Sequence, residues 1–333
     1  MDHFSLIGSS IAFSRMLSMI EKFAKLHAPV LIEGETGTGK ELAARSMHYG
    51  GPLCGKPFVP VNCGAFPEGL IESELFGHLK GAFTDAREDH PGLVETAAGG
   101  SLFLDEIDAL APKAQVALLR FLQDGNYRPI GSRAERRVDV RIIAASNANL
   151  DQLVASGSFR SDLLYRLRIL ALKLPPLRER AQDSLLLAGT FFSRCRQEHR
   201  CTPRELDLSS CDWFERYQWP GNVRELEAIV YREAMISDDE LLRLNAPVAF
   251  ESERRSAVDR RLCQFEGVAY STARTMALEQ FDRHYLTELM EKASGNVSHA
   301  ARIAGKERRA LGKLLKKHGI SAWSVGQFRP ANP

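Results

Sequence analysis

A glycine-rich run near the N-terminus has the residue types that bind phosphate groups. Residues 34–41 read Gly-Glu-Thr-Gly-Thr-Gly-Lys-Glu. The three glycines allow a tight turn that points backbone N–H groups at anionic oxygens, and Lys40 adds a cation at the start of a following helix. A glycine-rich turn that binds nothing is the alternative. The predicted phosphate site comprises Gly34, Glu35, Thr36, Gly37, Thr38, Gly39, Lys40 and Glu41.

Two adjacent carboxylates follow an apolar run at residues 101–104. Asp105 and Glu106 therefore lie at the end of a predicted strand, the edge at which α/β sheets bind ligands. A carboxylate there can hold a magnesium ion, and we assign this role to Asp105. Glu106 can act as the general base on an attacking water molecule. Capping of a following helix is the alternative, and it is compatible with both roles.

The C-terminal part of the chain concentrates positive charge on two short predicted helices. Residues 302–317 contain seven basic residues and one acidic residue, a net charge of +6. Helical patterns on either side of Gly305 predict a helix-turn-helix, a motif that places its second helix in the major groove of DNA. A basic dimerisation helix is the alternative. The predicted DNA contacts are Arg302, Lys306, Arg308, Arg309, Lys313 and Lys316.

The elements that must position these residues follow from hydrophobic periodicity. Short apolar runs at 30–33, 58–61, 101–104 and 140–145 predict buried strands, and amphipathic stretches between them predict helices. This alternation indicates an α/β fold with a mainly parallel sheet covered on both faces. The predicted organisation is an α/β domain at 6–175, a helical lid at 176–244, a linker at 245–273, the helix-turn-helix at 274–320 and a tail at 321–333.

Composition excludes several classes of protein. Of 333 residues, 44% are apolar and 26% are charged, which is typical of a globular chain and not of a disordered one. No apolar run approaches the roughly 20 residues of a membrane helix, and the first residues lack a signal-peptide pattern. We therefore expect a cytoplasmic protein. The six cysteines have no paired CxxC spacing and are expected to be reduced thiols.

A hexapeptide between the glycine loop and the acidic pair extends the pattern. Residues 81–86 read Gly-Ala-Phe-Thr-Asp-Ala and follow Glu-Leu-Phe-Gly-His at 74–78. With the glycine loop and the acidic strand end, they resemble the AAA+ bacterial enhancer-binding proteins, an NtrC-like, two-component-like family that activates RNA polymerase carrying sigma-54. That family's loop usually reads Gly-Ala-Phe-Thr-Gly-Ala, so Asp85 replaces its second glycine. The segment 295–302 is similar to the family's Fis-type DNA-binding module.

The resemblance implies ATP and Mg²⁺ as cofactors and assigns roles to further residues. Asn62 matches an asparagine that holds the catalytic glutamate, and Asn147 matches a sensor of the γ-phosphate. Arg160 and Arg166 match two arginine fingers that reach the nucleotide of a neighbouring subunit. Arg224 matches the lid arginine that contacts the nucleotide. The implied sigma-54 contact comprises Gly81, Ala82, Phe83, Thr84, Asp85 and Ala86.

The implied function is ATP-driven activation of sigma-54 RNA polymerase from upstream enhancer DNA. Fingers supplied by a neighbour require a head-to-tail contact that closes into a ring, so we expect a homo-oligomer, by resemblance a hexamer. About five residues precede the ATPase domain. We therefore expect no N-terminal regulatory domain, and control by expression level or by a separate regulatory protein. Two alternatives stay open: a DNA-bound regulator that no longer engages sigma-54, and an AAA+ remodeller of another protein.

Overall fold

The computed structural model describes residues 6–67, 69–83, 86–180, 182–199, 201–247, 270–293 and 295–320. The chain divides into two compact units, residues 1–246 and 247–333. Thr84 and Asp85 of the predicted sigma-54 contact, most of the predicted linker and the predicted tail lie outside the described residues.

The first unit combines strands and helices in alternation. Its strands are β1 Val30–Glu33, β2 Phe58–Asn62, β3 Gly77–His78, β4 His90–Pro91, β5 Ser101–Asp105, β6 Asn126–Tyr127, β7 Arg136–Arg137, β8 Arg141–Ser146, β9 Leu170–Lys173, β10 Glu205–Leu206 and β11 Leu241–Leu242. Its α-helices are α1 Ile11–Ala24, α2 Lys40–Tyr49, α3 Ile71–Phe76, α4 Leu93–Thr96, α5 Pro112–Asp124, α6 Leu150–Ala155, α7 Ser161–Leu167, α8 Asp183–Glu198 and α9 Asn222–Ile236. Short 3-10 helices span Cys63–Ala65, Ile107–Ala109, Leu177–Glu179 and Leu208–Cys211.

Five of these strands form one parallel sheet with the order β2-β5-β8-β1-β9. Successive side chains of a strand point to opposite faces. Leu102 and Leu104 of β5 accordingly pack in one core with α5 and α7, whereas Phe103 packs in a second core with α1 and α2. The predicted α/β class with a parallel sheet covered on both faces is therefore confirmed.

The edge strand β9 was not among the predicted strands. Leu172 is its one fully buried residue, because β9 pairs on one side only and half of its side chains face outward. Such a strand lacks the continuous apolar run that marks a central strand. The lid is helical as predicted, but it also contains the two-residue strands β10 and β11, which pair with each other.

A buried carboxylate fastens the N-terminal segment to the lid. Asp183, at the start of α8, accepts hydrogen bonds at Oδ1 from the backbone N–H groups of Ser9 (2.7 Å) and Ser10 (3.0 Å). The Arg180 guanidinium pairs with Oδ2 at 2.9 Å and donates to the Ile7 carbonyl at 2.5 Å. Asp183 and Arg180 are both buried, so the pair is shielded from water.

The second unit is a small three-helix cluster within its described residues. Its helices are α10 Tyr270–Lys292, α11 Val297–Ile303 and α12 Arg308–Lys317. The Asn296 side chain caps α11 by accepting from two backbone N–H groups, and Gly305 takes a positive φ of 60° at the turn before α12. Leu286, Leu311 and Leu315 pack in the shared core. Throughout the described ranges of the chain, none of the helices has the length and apolarity needed to cross a membrane.

Replacing Asp183 tests the contribution of the buried pair to stability. Asp183→Ala leaves the Arg180 charge buried without its partner, which should lower the free energy of unfolding by about 3–5 kcal/mol. The exposed Asp239 on the same lid provides a control, since Asp239→Ala should change it by no more than about 0.5 kcal/mol. Urea denaturation measures both, and equal effects of the two substitutions would refute a special role for Asp183.

The same carboxylate gives the stability a defined pH dependence. Burial alone would raise the pKa of Asp183, but hydrogen bonds from Ser9, Arg180 and Ser10 outweigh it and lower the pKa. The stabilisation should therefore be present above the unfolded-state pKa of about 3.9, and it should be lost as the pH falls through the lower folded-state value.

Candidate functional site

The phosphate loop lies between β1 and α2, and the Lys40 ammonium group is hydrogen-bonded to its backbone. Gly37 and Gly39 have positive φ angles of 79° and 96°, which glycine adopts without steric cost. The Lys40 Nζ donates to the carbonyl oxygens of Gly34 at 2.9 Å and Glu35 at 3.2 Å. Burial lowers the pKa of Lys40, while the nearby Asp105 carboxylate opposes that shift. The loop thus provides one partly buried cation and a helix N-terminus, which together suit a phosphate group.

The acidic pair lies at the same edge of the sheet. Asp105 ends β5, and burial is the main reason why its pKa is raised, with the Lys40 cation opposing the effect. Glu106 has a φ of 53°, a left-handed conformation that costs about 1–3 kcal/mol in a residue with a side chain. Its backbone N–H donates to Asp105 Oδ1 at 3.0 Å. The strand therefore ends in a strained turn that presents two carboxylates side by side.

Two asparagines complete this edge. Asn62, at the end of β2, accepts a hydrogen bond from the Gly64 N–H at 2.8 Å. A methyl group on Gly64 would lie 2.5 Å from Glu106 Oε2. Because glycine has no side chain, the Glu106 carboxylate can lie close to Gly64, the residue that is bonded to Asn62. Asn147, which follows β8, donates from Nδ2 to Thr36 Oγ1 of the phosphate loop at 3.1 Å.

Most of the predicted loop residues, the acidic pair and the lid arginine meet around one cavity of about 230 Å³, whereas Gly34, Glu35 and Thr38 do not line it. It contains one ammonium, one guanidinium and adjacent carboxylates, so it can bind an anionic phosphate chain and still offer oxygen ligands to a divalent cation. Its lining residues are Thr36, Gly37, Gly39, Lys40, Glu41, Leu42, Asp105, Glu106, Asn147, Val223, Arg224 and Glu227. Arg160 and Arg166 line neither this cavity nor its neighbour described next.

A smaller cavity of about 90 Å³ adjoins the first and is mainly apolar. The two cavities share Gly39, Leu42, Val223 and Glu227. Its apolar walls come from Leu6, Ile7, Phe13, Leu42, Leu187 and Phe191. None of these six was predicted as a site residue, because they come from the N-terminal segment, α1, α2 and α8 and have no common sequence pattern. An apolar slot beside a phosphate site suits a flat aromatic group attached to the phosphates.

The first turn of α9 docks the lid on the phosphate loop. Asn222 is fully buried and has a φ of 52°. Its Oδ1 accepts from the Leu177 N–H at 2.8 Å, and its Nδ2 donates to the Thr36 carbonyl at 3.0 Å and to Glu35 Oε2 at 3.2 Å. The next residue, Val223, donates its N–H to the Gly37 carbonyl at 3.0 Å. This contact places Arg224 at the cavity.

An ion pair strengthens the docking from the loop side. Glu35 forms a two-pronged salt bridge with Arg178, with oxygen–nitrogen distances of 2.8 and 2.5 Å. The hydrogen bonds from Arg178 are the main cause that lowers the pKa of Glu35 to about 2, assisted by Asn222. The pair with Arg178 therefore favours the ionised form of Glu35. It ties the phosphate loop to the first turn of the lid.

The two predicted finger arginines make contacts elsewhere in their own subunit instead. Arg160 pairs with Asp162 through Nε at 3.0 Å and Nη2 at 2.7 Å. Arg166 donates from Nε to the Leu122 carbonyl at 3.1 Å, at the last turn of α5. Both side chains are exposed. They lie on the surface of the unit.

The predicted sigma-54 contact forms a tight loop at its base. Gly81 N–H donates to the Ala86 carbonyl at 2.8 Å, and the buried Ala86 donates back to the Phe83 carbonyl at 3.0 Å. The Phe83 ring is 36% exposed and lies 4.9 Å from the His78 ring. The Phe83 side chain is thus in contact with His78 and partly exposed to solvent.

A second loop, which connects β6 and β7, supports the first. Ile130 accepts from the Leu79 N–H and donates to the Gly77 carbonyl, both at 2.9 Å. Gly131 lies so close to Ala82 that a methyl group on it would be 2.9 Å from the alanine Cβ. Because β6 follows directly on α5, the paired loops are connected through that helix to the acidic strand end.

The predicted DNA contacts lie in the second unit. All six basic residues, Arg302, Lys306, Arg308, Arg309, Lys313 and Lys316, are exposed. Leu311 and Leu315, on the opposite side of α12, are buried. Helix α12 is thus strongly amphipathic, with one basic face free to contact a polyanion.

The docking contact predicts a change in backbone protection. Asn222→Gly removes the side-chain hydrogen bonds, yet glycine keeps the left-handed backbone without strain. Each lost hydrogen bond is worth about 1 kcal/mol, so the Leu177 and Val223 amides should exchange several-fold faster in hydrogen–deuterium exchange. Asn245→Gly, on the lid surface, should leave both unchanged. Unaltered exchange in Asn222→Gly would refute the docking role.

The comparisons with known proteins agree with this arrangement. Residues 6–173 match the sigma-54 interaction domain, 178–258 match an AAA+ ATPase lid domain, and 277–318 match the bacterial regulatory protein family of Fis. The nitrogen fixation protein AnfA of Azotobacter vinelandii is 38% identical over 97% of this chain and 59% of its own length. The chain thus spans about three fifths of that relative.

Other relatives extend over a larger share of their own length. The transcriptional regulatory protein GlrR of Escherichia coli is 38% identical over 96% of this chain and 69% of GlrR. The crystal structure of NtrX from Brucella abortus in complex with ATP is 30% identical, with a TM-score of 0.67, over 95% of this chain and 69% of NtrX. The resemblance drawn from the motifs is confirmed, and the chain belongs to the family of sigma-54-dependent transcriptional activators.

Proposed function

We propose that the chain binds ATP with Mg²⁺ in the cavity at the phosphate loop, hydrolyses the ATP, and uses the cycle to drive open-complex formation by sigma-54 RNA polymerase while bound to upstream DNA. The observation that carries this proposal is that the phosphate loop, the acidic strand end and the lid arginine all line one cavity. The same unit supports the Phe83 loop through α5.

Five residues at the cavity have a chemical task in this proposal. The Lys40 ammonium exchanges its two loop carbonyls for phosphate oxygens, and Arg224 adds a second cation from the lid. Glu106 takes a proton from the attacking water. Asp105 holds the magnesium ion, which neutralises charge on the phosphates when bound. The apolar slot takes the base, and Asn147 senses the end of the phosphate chain from its place beside Thr36.

Complete catalysis requires a second copy of the chain. Arg160 and Arg166 lie outside the cavity of their own subunit, so they serve as fingers only in the cavity of a neighbour. A contact between two different faces of the same molecule repeats until it closes into a ring. We therefore propose a homo-oligomeric ring, with a hexamer as the size implied by the resemblance.

Coupling to the polymerase follows from the two loops. A nucleotide cycle can shift a partner only if the contact with that partner differs between nucleotide states. Helix α5 begins just after the acidic strand end and leads into the second loop, which in turn pairs with the first. A shift at Glu106 can therefore reach Phe83 through one rigid helix. The segment 81–86, with Thr84 and Asp85, is the proposed sigma-54 contact.

Phe83→Ala tests the coupling. The substitution removes an apolar contact worth about 1.5–3 kcal/mol, which corresponds to a roughly 10- to 150-fold loss of open complexes. ATP hydrolysis should stay near the wild-type rate, since Phe83 lies away from the cavity. Transcription from a sigma-54 promoter and phosphate release, measured on the same preparations, separate these effects.

Two control variants complete the design. Leu208→Ala removes an exposed apolar side chain from the lid and should change neither readout. Glu106→Ala should abolish both. If Phe83→Ala transcribes like the wild type, while Glu106→Ala does not, the loop is not the coupling element. If the wild type hydrolyses ATP but does not activate the promoter, a DNA-bound regulator without sigma-54 engagement becomes the better description.

The basic face of α12 gives a separate prediction for DNA. Arg309→Ala should weaken binding to a DNA site selected from a random pool by about 1–3 kcal/mol and relax its base preference, whereas Lys316→Ala should weaken all sequences equally and reduce the salt slope by about 1. Fluorescence anisotropy at several salt concentrations measures both. Lys25→Ala, an exposed lysine of the first unit, is the control. Affinity independent of salt would contradict the proposed interface.

A further inference from the structure

One buried amide joins the acidic strand end to the finger segment. Gln115 lies in the first turns of α5 and is 1% exposed. Its Nε2 donates to the Leu110 carbonyl at 2.8 Å and to the Ser158 carbonyl at 3.0 Å. Its Oε1 accepts from the Arg160 N–H at 2.9 Å. The chemistry of these partners dictates the orientation of the amide, since two carbonyls need a donor and one N–H needs an acceptor.

The two ends of this bridge belong to different parts of the proposed reaction. Leu110 follows the short helix Ile107–Ala109, which begins directly after Glu106. Arg160 is the N-cap residue of α7, and its guanidinium pairs with Asp162 of the same helix. The local pair moves with α7, so it does not relate the finger to the rest of the subunit. Gln115 relates the two, because its amide bonds to the backbone of Leu110 on one side and to the backbone of Ser158 and Arg160 on the other.

We infer that Gln115 is a positioning residue for the arginine finger: it sets where Arg160 is presented to the neighbouring subunit, relative to the acidic strand end of its own subunit. This inference rests on the proposed function. Gln115 touches neither the phosphates nor the reacting water, and it is absent from the lining of the cavity. Its effect should therefore appear in the site of the next subunit and not in its own.

Gln115→Met tests the inference because methionine has a similar volume and no hydrogen-bonding amide. The variant should bind ATP with wild-type affinity, since its own cavity is intact. Turnover should fall by roughly 10²-fold, the typical result of a displacement of about 1 Å of a group that acts on the reaction. Leu118→Met, one turn along the same helix and equally buried, should keep near-normal turnover.

Mixed oligomers decide which site is damaged. Glu106→Ala subunits cannot hydrolyse ATP but have normal fingers, so mixing them with Gln115→Met subunits should restore turnover in the Gln115→Met sites. Arg160→Ala subunits have normal acidic residues but lack the Arg160 finger, so mixing them with Gln115→Met should restore nothing. Gln115→Met would thereby behave as a finger variant, which a general loss of stability would not reproduce.

The opposite pattern overturns the inference. If Gln115→Met is rescued by Arg160→Ala and not by Glu106→Ala, the amide serves its own site; if it turns over like the wild type, the amide positions nothing. Gln115→Asn, which is one methylene shorter, replaces Gln115→Met if the latter does not fold, with the same expectations. A mixture of Glu106→Ala and Arg160→Ala that shows no turnover would instead refute the trans finger of the proposed function, and the inference with it.

Discussion

The nucleotide cleft depends on the contact between Gly37 and the first turn of α9. A side chain at Gly37 would collide with the Gly221 carbonyl, and the φ of 79° at this position also favours glycine. The same glycine offers its carbonyl to the Val223 N–H. The phosphate loop is therefore not an isolated turn: the carbonyl groups of Thr36 and Gly37 are bonded to the lid, and Arg224 lines the cavity beside them.

A second fastening joins the lid to the N-terminal segment. The Asp183–Arg180 pair holds the segment that contains Ile7, and Ile7 is part of the apolar slot. The Asn222 contact holds the phosphate loop. Both fastenings are made by buried polar groups, which lose most of their stabilisation when one partner is displaced. Displacing the lid from either the phosphate loop or the N-terminal segment would therefore leave buried polar groups without their partners.

Motif order in the sequence was sufficient for the fold class and for most of the residues that line the cavity at the phosphate loop, but Leu42, Val223 and Glu227 of that lining were not predicted. Gly37, Lys40 and Glu106 belong to short contiguous motifs, and contiguous motifs can be read without a structure. Thr84 and Asp85 lie outside the described residues, and the roles of the finger arginines stay predictions. The prediction of the chain's family was correct because several motifs of that family occur together and in the same order.

The residues that sequence reasoning missed act across large separations. Asn222 bonds to Thr36, 186 positions away, and Asp183 bonds to Ser9, 174 positions away. Gln115 bonds to Arg160 across 45 positions. A side chain that bonds to distant backbone has no local periodicity or spacing to reveal it, and a single buried glutamine in an amphipathic helix resembles an ordinary polar position. The edge strand β9 was missed for a different reason, since only Leu172 of its four residues is buried and it lacks a continuous apolar run.

The left-handed backbone conformation of Glu106 affects which residues this position can accept during evolution. Any residue with a side chain pays a conformational penalty there, and selection tolerates that penalty only while a carboxylate is needed. In a lineage that stopped hydrolysing nucleotide, glycine would remove the penalty and make the protein more stable. The residue found at this position in related sequences would then distinguish proteins that still hydrolyse ATP from proteins that only bind DNA.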